Sequence, residues 1–159
     1  MNTLPVNIDR RRQRGLAMVE MVIVVPILLL LMLGAAELGR ALFQYNTLTK
    51  AVRDGARYFS ANTFVGGGTQ VDTTASANTV NLVIYGQIGS GGTPLLPSPL
   101  PTVSPPVIST SGGITWVTVT ASYQFQFLPG NPLSGIMGLF GSSLTNPLTL
   151  NASTTMRAL

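Results

Sequence analysis

The chain opens with a polar, basic stretch and then becomes apolar within one residue. After Gly15, the residues from Leu16 to Ala36 are almost all apolar, and the carboxylate of Glu20 is the one charge among them. A helix of this length rises about 31 Å, which is close to the thickness of one bilayer core. The pattern therefore predicts a membrane-spanning helix over residues 16–36.

After Ala36 the spacing of apolar residues changes rather than ends. They recur at steps of three and four residues, which is typical of an amphipathic helix: Leu38, Leu42, Tyr45, Leu48, Val52, Ala56 and Phe59. Polar residues occupy the positions between them: Arg40, Gln44, Lys50, Arg53, Asp54 and Arg57. This apolar stripe fits packing on the protein's own domain and packing against other subunits, at different levels along the helix.

Both patterns favour one long helix from Leu16 to about Phe59. Its only proline is Pro26, which we expect to kink the helix within the bilayer. Ala35 and Gly39 form a pair of small residues four positions apart, which permits close contact with another helix. Residues 37–62 are the predicted extramembrane continuation of the helix.

Residues 63–159 are predicted to form an outer domain that begins where the glycines of Val65–Gly68 break the helix. A second short helix is predicted over Thr74–Tyr85, with Val80, Val83 and Ile84 facing inward, and a strand is the competing interpretation. The region 86–106 is rich in glycine, proline and serine and is predicted to be a loop.

Strands are predicted in the last third of the chain. Residues 107–110 and 114–127 flank Ser111-Gly112-Gly113, which is typical of a hairpin. The second of these strands alternates with one buried face, and residues 148–156 alternate again as a last strand. Between them, 129–141 is predicted as a loop with a short helix over 133–140. The predicted fold is α+β: a long N-terminal helix with a small antiparallel sheet packed on it.

The composition narrows the classes of function. The 159 residues include no cysteine and no histidine, and no Asp, Glu, Lys or Arg lies between Asp72 and Arg157. The first two absences remove disulfides, thiolate metal sites and the commonest general base. An uncharged domain fits an extracytoplasmic location or a packed assembly better than the cytoplasm. We therefore expect no enzyme activity, no catalytic residues, no metal or other cofactor, and no small-molecule substrate.

The basic leader, residues 1–15, ends in a cluster of four arginines: Arg10, Arg11, Arg12 and Arg14. No aromatic residue lies between them and a membrane segment follows, which argues against nucleic-acid binding. They fit a positive-inside anchor with a cytoplasmic N-terminus. Counting alone does not decide the orientation, because four cations also follow the apolar run: Arg40, Lys50, Arg53 and Arg57.

Glu20 needs an explanation beyond anchoring, since a carboxylate at the centre of a membrane helix costs up to about 3 kcal/mol on insertion scales and somewhat less near an end. A cut between Gly15 and Leu16 would create a positive amine on Leu16, one helical turn from Glu20. The carboxylate then pairs with this amine or with that of a neighbouring copy. Such helices can stack in register, which is the assembly role predicted for Glu20.

These motifs resemble the class III signal of type IV pilins, and the chain is similar to the TadE-like family of minor pseudopilins from tight-adherence (Flp) pilus systems. The resemblance rests on Val19-Glu20, Pro26 and the E-x-G-R step Glu37-Leu38-Gly39-Arg40. It continues in A-V-R-D-G-A-R-Y, in T-V-T-A-S-Y near Tyr123 and in L-T-L-N-A-S-T-T-M-R, and so covers most of the chain.

The resemblance implies a subunit cleaved by a membrane prepilin peptidase, in contact with other pilins and the pilus assembly platform. It implies the bacterial inner membrane, with the outer domain periplasmic or extracellular and with incorporation in the pilus as one outcome. The alternative is a single-pass envelope protein whose outer domain binds a partner, either permanently anchored or processed by signal peptidase before Glu37. The mature N-terminus distinguishes Leu16, Met1 and Glu37.

Overall fold

The computed structural model describes residues 9–64, 72–89, 91–127, 138 and 148–159. The chain divides into two compact units. The first contains Met1–Leu38 and Leu128–Thr145, and the second contains Gly39–Phe127 and Asn146–Leu159. The predicted glycine break at 65–68 and nearly all of the predicted helix at 133–140 lie outside the described residues.

The first helix, α1, is longer than predicted. It is continuous from Asp9 to Ala61 and contains Pro26. The sequence prediction began it at Leu16 because the polar leader lacks the apolar periodicity that was used to detect it. In the structure, the leader residues from Asp9 onward continue the same helix. At the other end the predicted boundary, Phe59, is two residues from the observed one.

The second helix, α2, spans Thr73–Tyr85, so the helical interpretation of this segment was correct and the strand was wrong. Asp72 caps its start by accepting a hydrogen bond from the Thr74 N–H at 2.8 Å. The predicted inward trio was only partly right. Val83 is buried together with Ala75 and Thr79, whereas Val80 and Ile84 are half-buried. The buried face is thus centred on small residues and not on the largest apolar ones.

Among the described residues, four antiparallel strands form the sheet, and the longest lies at its centre: β1 Thr102–Val103, β2 Val107–Ser111, β3 Ile114–Phe125 and β4 Leu148–Arg157. β4 pairs with β3 along its whole length, so β1 and β2 share the other edge of β3. Gly112 and Gly113 connect β2 to β3 with φ of 60° and 75°, as a two-residue type I′ hairpin requires. The predicted hairpin and last strand are confirmed.

One hydrophobic core joins both helices to the sheet. β3 alternates as predicted and contributes five buried side chains: Val117, Val119, Ala121, Tyr123 and Phe125. The C-terminal part of α1 contributes Leu48, Val52, Ala56 and Phe59. The opposite face of the sheet is polar, with hydroxyl pairs such as Thr118–Thr155 at 2.9 Å. The α+β fold with a small antiparallel sheet packed on the long helix is therefore confirmed.

Candidate functional site

The apolar segment of α1, residues 17–36, exposes nearly all of its large side chains. Val22 is 71% exposed, and an 18-residue window of this helix has a mean hydropathy of 2.6. By its length and composition this helix is able to cross a membrane. A single apolar helix of this kind near the N-terminus supports a membrane-anchored protein.

The predicted cleavage and assembly residues lie at the start of α1. The arginine cluster, Gly15 and Leu16 are in its first turns, and Glu20 follows Leu16 by one turn, about 6 Å along the axis. Glu20 is exposed on the surface of the helix. An exposed carboxylate on an otherwise apolar surface is positioned to meet a group from another molecule, and its pairing with an amine stays a prediction.

The small residues predicted for helix packing are both exposed. Ala35 and Gly39 lie on the surface of α1, and a β-carbon added at Gly39 would meet no atom within 4 Å. Within the described residues, therefore, nothing packs closely on Gly39. Contact between this position and another helix stays a prediction.

Arg40, the last residue of the E-x-G-R step, connects α1 to the end of β3. Its guanidinium donates a hydrogen bond to the Gln126 carbonyl at 2.6 Å and lies 4.8 Å from the centre of the Phe125 ring. Phe125 in turn contacts Phe127 edge-on, with ring centres 5.2 Å apart. We call Arg40, Phe125 and Gln126 the Arg40 junction. It fixes the cation by a charge-assisted hydrogen bond and a cation–π contact.

Tyr123 lies next to this junction on the buried face of β3. Its hydroxyl donates a hydrogen bond to the Pro97 carbonyl at 3.2 Å. Burial raises the pKa of the Tyr123 phenol, and the positive charge of Arg40 partly opposes the shift. The neutral phenol is therefore the form that this environment favours.

The N-terminal part of the predicted stripe is exposed, so its packing against other subunits stays a prediction. Leu38 and Leu42 are each 62% exposed, while Gln44 is buried. The predicted polar positions Arg40 and Gln44, which precede Leu48 on the helix, thus face inward. Only the C-terminal half of the stripe packs on the protein's own domain. The reason is that Arg40 finds a carbonyl and an aromatic ring on the sheet, so that this part of the helix turns a polar side toward it.

Helices α1 and α2 approach closely at Gly55. A β-carbon there would lie 2.8 Å from Val83 Cγ2 and 3.3 Å from Thr79 Cγ2. Nearby, the Asn78 amide donates a hydrogen bond to the Tyr58 hydroxyl at 3.1 Å. The glycine of the D-G-A-R block therefore has a packing role that the sequence pattern alone did not reveal.

Three exposed cations lie on α1 on the C-terminal side of the Arg40 junction: Lys50, Arg53 and Arg57. We call them the basic face. A shallow, open cavity of about 360 Å³ is lined by Tyr45, Asn46, Thr49, Lys50 and Arg53. A second of about 320 Å³ lies between α1 and α2 and includes Asp54 and Leu95. Within the described residues, no group of three or more His, Cys, Asp or Glu side chains is arranged to hold a metal ion.

Residues 15–57 match the model of the TadE-like protein family. The match begins at the glycine of the leader and ends at Arg57, so it contains Glu20, Pro26, the E-x-G-R step and the basic face. It confirms the resemblance suggested by the N-terminal motifs; the two strand motifs near Tyr123 and at the C-terminus lie outside it. No curated protein and no solved structure matches the chain.

Proposed function

We propose that this chain, TadE-like over residues 15–57, is a minor pilin or pseudopilin of a tight-adherence pilus of the Flp, or type IVc, kind. The observation that carries the proposal is the family match itself, because it includes the Gly15-Leu16 step, Glu20 and the E-x-G-R step together. The exposed apolar segment supplies the membrane anchor that a pilin needs before assembly.

A membrane prepilin peptidase cleaves the peptide bond between Gly15 and Leu16 in this proposal. Glycine presents no side chain to the peptidase, and the leader arginines hold the peptide at the cytoplasmic membrane surface. The product is a helix that starts with a charged amine at Leu16 and carries Glu20 one turn later. The mature protein then remains in the inner membrane, with its outer domain periplasmic or extracellular.

Glu20 pairs with the Leu16 amine of its own chain or of a neighbour as the subunits come together. Its exposure supports this role, since the carboxylate is available on the helix surface. The partners are the peptidase, other pilins and the assembly platform. The chain acts as a structural subunit or as an assembly or priming component and performs no catalysis.

The first experiment determines the N-terminus of the membrane-extracted protein by mass spectrometry. We expect a chain that starts at Leu16 in cells that contain the prepilin peptidase and at Met1 in cells that lack it. A start at Met1 in both strains, or at Glu37, would instead support the anchored or signal-peptidase-processed envelope protein with a binding outer domain.

The second experiment separates assembly from anchoring. Glu20→Gln keeps the size of the side chain and removes its charge, and Glu20→Leu also removes the insertion cost. We expect both variants to enter the membrane and to be cleaved, yet to support few or no surface pili in a deletion strain. Glu20→Asp is the matched control, because it keeps the charge, and we expect it to restore most piliation. Normal piliation with Glu20→Leu contradicts the proposed role of Glu20.

A further inference from the structure

The cations that follow the apolar segment have two different environments. Arg40 is directed to the sheet, where the Gln126 carbonyl and the Phe125 ring receive it. Lys50, Arg53 and Arg57 are exposed, and in the part of the chain that the structure describes no ion pair is recorded for them. Equal numbers of cations on the two sides of a membrane segment do not serve orientation. These three therefore call for another explanation.

The surface of α1 on the N-terminal side of the basic face is apolar and aromatic. Phe43 is 72% exposed, Leu42 62% and Tyr45 41%. On one helix, the exposed side thus changes from apolar to aromatic to basic in the order Leu42, Tyr45, Lys50. Amphipathic aromatic rings followed by cations are the side chains that occupy the boundary between hydrocarbon and lipid headgroups.

We propose that the basic face of α1 binds the phosphates of anionic phospholipids at the membrane surface, mainly through Lys50 and Arg53. Phe43 and Tyr45 lie at the hydrocarbon boundary. The open cavity of about 360 Å³ between Tyr45 and Arg53 receives the headgroup. A membrane is favoured over an acidic protein partner because the same helix continues from an apolar segment fit to span a bilayer.

The distance of each cation from Phe43 along the helix axis determines how much it is expected to contribute to phospholipid binding. Lys50 lies about 10 Å along the axis from Phe43, Arg53 about 15 Å and Arg57 about 21 Å. Headgroups extend about 5–8 Å beyond the hydrocarbon on each side. Long side chains bend back toward the membrane, so Lys50 and Arg53 reach this layer and Arg57 does not. Arg57 is therefore the matched control on the same face of the same helix.

The test uses the full chain in lipid nanodiscs and takes advantage of the absence of cysteine. Leu42→Cys, which is exposed on the same helix and does not line the cavity, carries a fluorophore, and brominated phosphatidylglycerol or brominated phosphatidylcholine quenches it. The ratio of the two quenching constants measures the local preference for the anionic lipid. The exposed Ser109→Cys on β2 serves as a label position away from the helix.

We expect severalfold stronger quenching by phosphatidylglycerol than by phosphatidylcholine at position 42, and no preference at position 109. Lys50→Gln and Arg53→Gln should each lower the ratio, by up to about fivefold, while Arg57→Gln changes it far less. Raising the salt to ~0.5 M should reduce the ratio in the unsubstituted protein. Free inorganic phosphate in phosphatidylcholine discs should leave the fluorescence unchanged.

A ratio near one in the unsubstituted protein overturns the proposal, and so does an equal loss in Lys50→Gln and Arg57→Gln. Capture of an acidic protein by the basic face without any lipid preference also overturns it. The salt dependence needs no substitution and therefore tests the proposal even if a variant folds poorly. None of these outcomes depends on cleavage or piliation, so the proposal stands or falls separately from the pilin function.

Discussion

The close approach of α1 and α2 at Gly55 can be tested by adding a single methyl group there. In Gly55→Ala the new β-carbon would lie 2.8 Å from Val83 Cγ2, which is about 0.7 Å closer than two carbons normally approach. Both neighbours, Val83 and Thr79, are fully buried, and a β-branched side chain in a helix has few alternative rotamers. Overpacking of this kind costs about 1–3 kcal/mol of the free energy of unfolding.

Alanine also favours helix over glycine by about 1 kcal/mol, which would hide part of this cost. Gly39→Ala removes the ambiguity, because Gly39 lies on the same helix and its added β-carbon meets no atom within 4 Å. The propensity gain is common to both variants and cancels in their comparison. We therefore expect Gly55→Ala to be less stable than Gly39→Ala by about 1–3 kcal/mol, or about 4–8 °C in Tm for each kcal/mol.

Thermal unfolding of the detergent-solubilised chain measures this difference through the fluorescence of Trp116, the one tryptophan, which lies on β3. The double variant Gly55→Ala, Val83→Ala should be less destabilised than the sum of its two single changes, since the smaller residue 83 makes room for the methyl group. Equal Tm values for Gly55→Ala and Gly39→Ala would refute the close approach of α1 and α2 at this position.

Three further predictions concern the sheet and the Arg40 junction. The folded pKa of Tyr123 is raised above its ordinary value of 10.0. The contribution of Tyr123 to stability is therefore complete below that pH and is lost as the pH rises through the folded pKa. When Tm is measured against pH, the decrease above pH 10.0 should be smaller in Tyr123→Phe than in the unsubstituted protein. Arg40→Met should lower the free energy of unfolding by about 1–3 kcal/mol, as it removes the hydrogen bond to Gln126 and the contact with Phe125; urea unfolding measures it, with exposed Arg57→Met as the control. Deletion of residues 148–159 removes the strand that covers one edge of β3, and the loss of a cooperative Trp116 transition should follow; an unchanged transition contradicts the role of β4.

Much of the outer domain was predictable because its signals are local. The alternation from Val117 to Phe125 and the two glycines of the hairpin depend on residues that are neighbours in sequence. The apolar segment is equally local, since hydropathy alone marks it. In each case the period of the pattern, two for a strand and a continuous run for a membrane helix, identifies the element without knowledge of its partners.

The faces of the helices were harder, because they depend on what packs against them. Hydropathy placed Leu42 and Tyr45 on the stripe without deciding whether the protein's own domain or another subunit covers them; the structure exposes both and buries Gln44. On α2, the buried face consists of Ala75, Thr79 and Val83, and Gly55 lets α1 approach the last two closely. A glycine within a helix indicates that another segment packs closely on it, but the sequence does not identify the residues of that segment.

The Arg40 junction connects this exposed part of the stripe to the proposed functions. A guanidinium one turn beyond an apolar segment is costly if it faces hydrocarbon and weakly constrained if it faces water. Here the end of β3 and the residue after it supply an aromatic ring and a carbonyl, so Arg40 turns toward the protein, while Leu42 and Phe43 remain exposed on α1. The apolar surface of the helix thereby continues past the first cation, and the next exposed cations, Lys50 and Arg53, come where headgroups are expected. The proposed lipid contact therefore places the membrane boundary near Phe43 and Tyr45, whereas the apolar run alone would place it at Ala36.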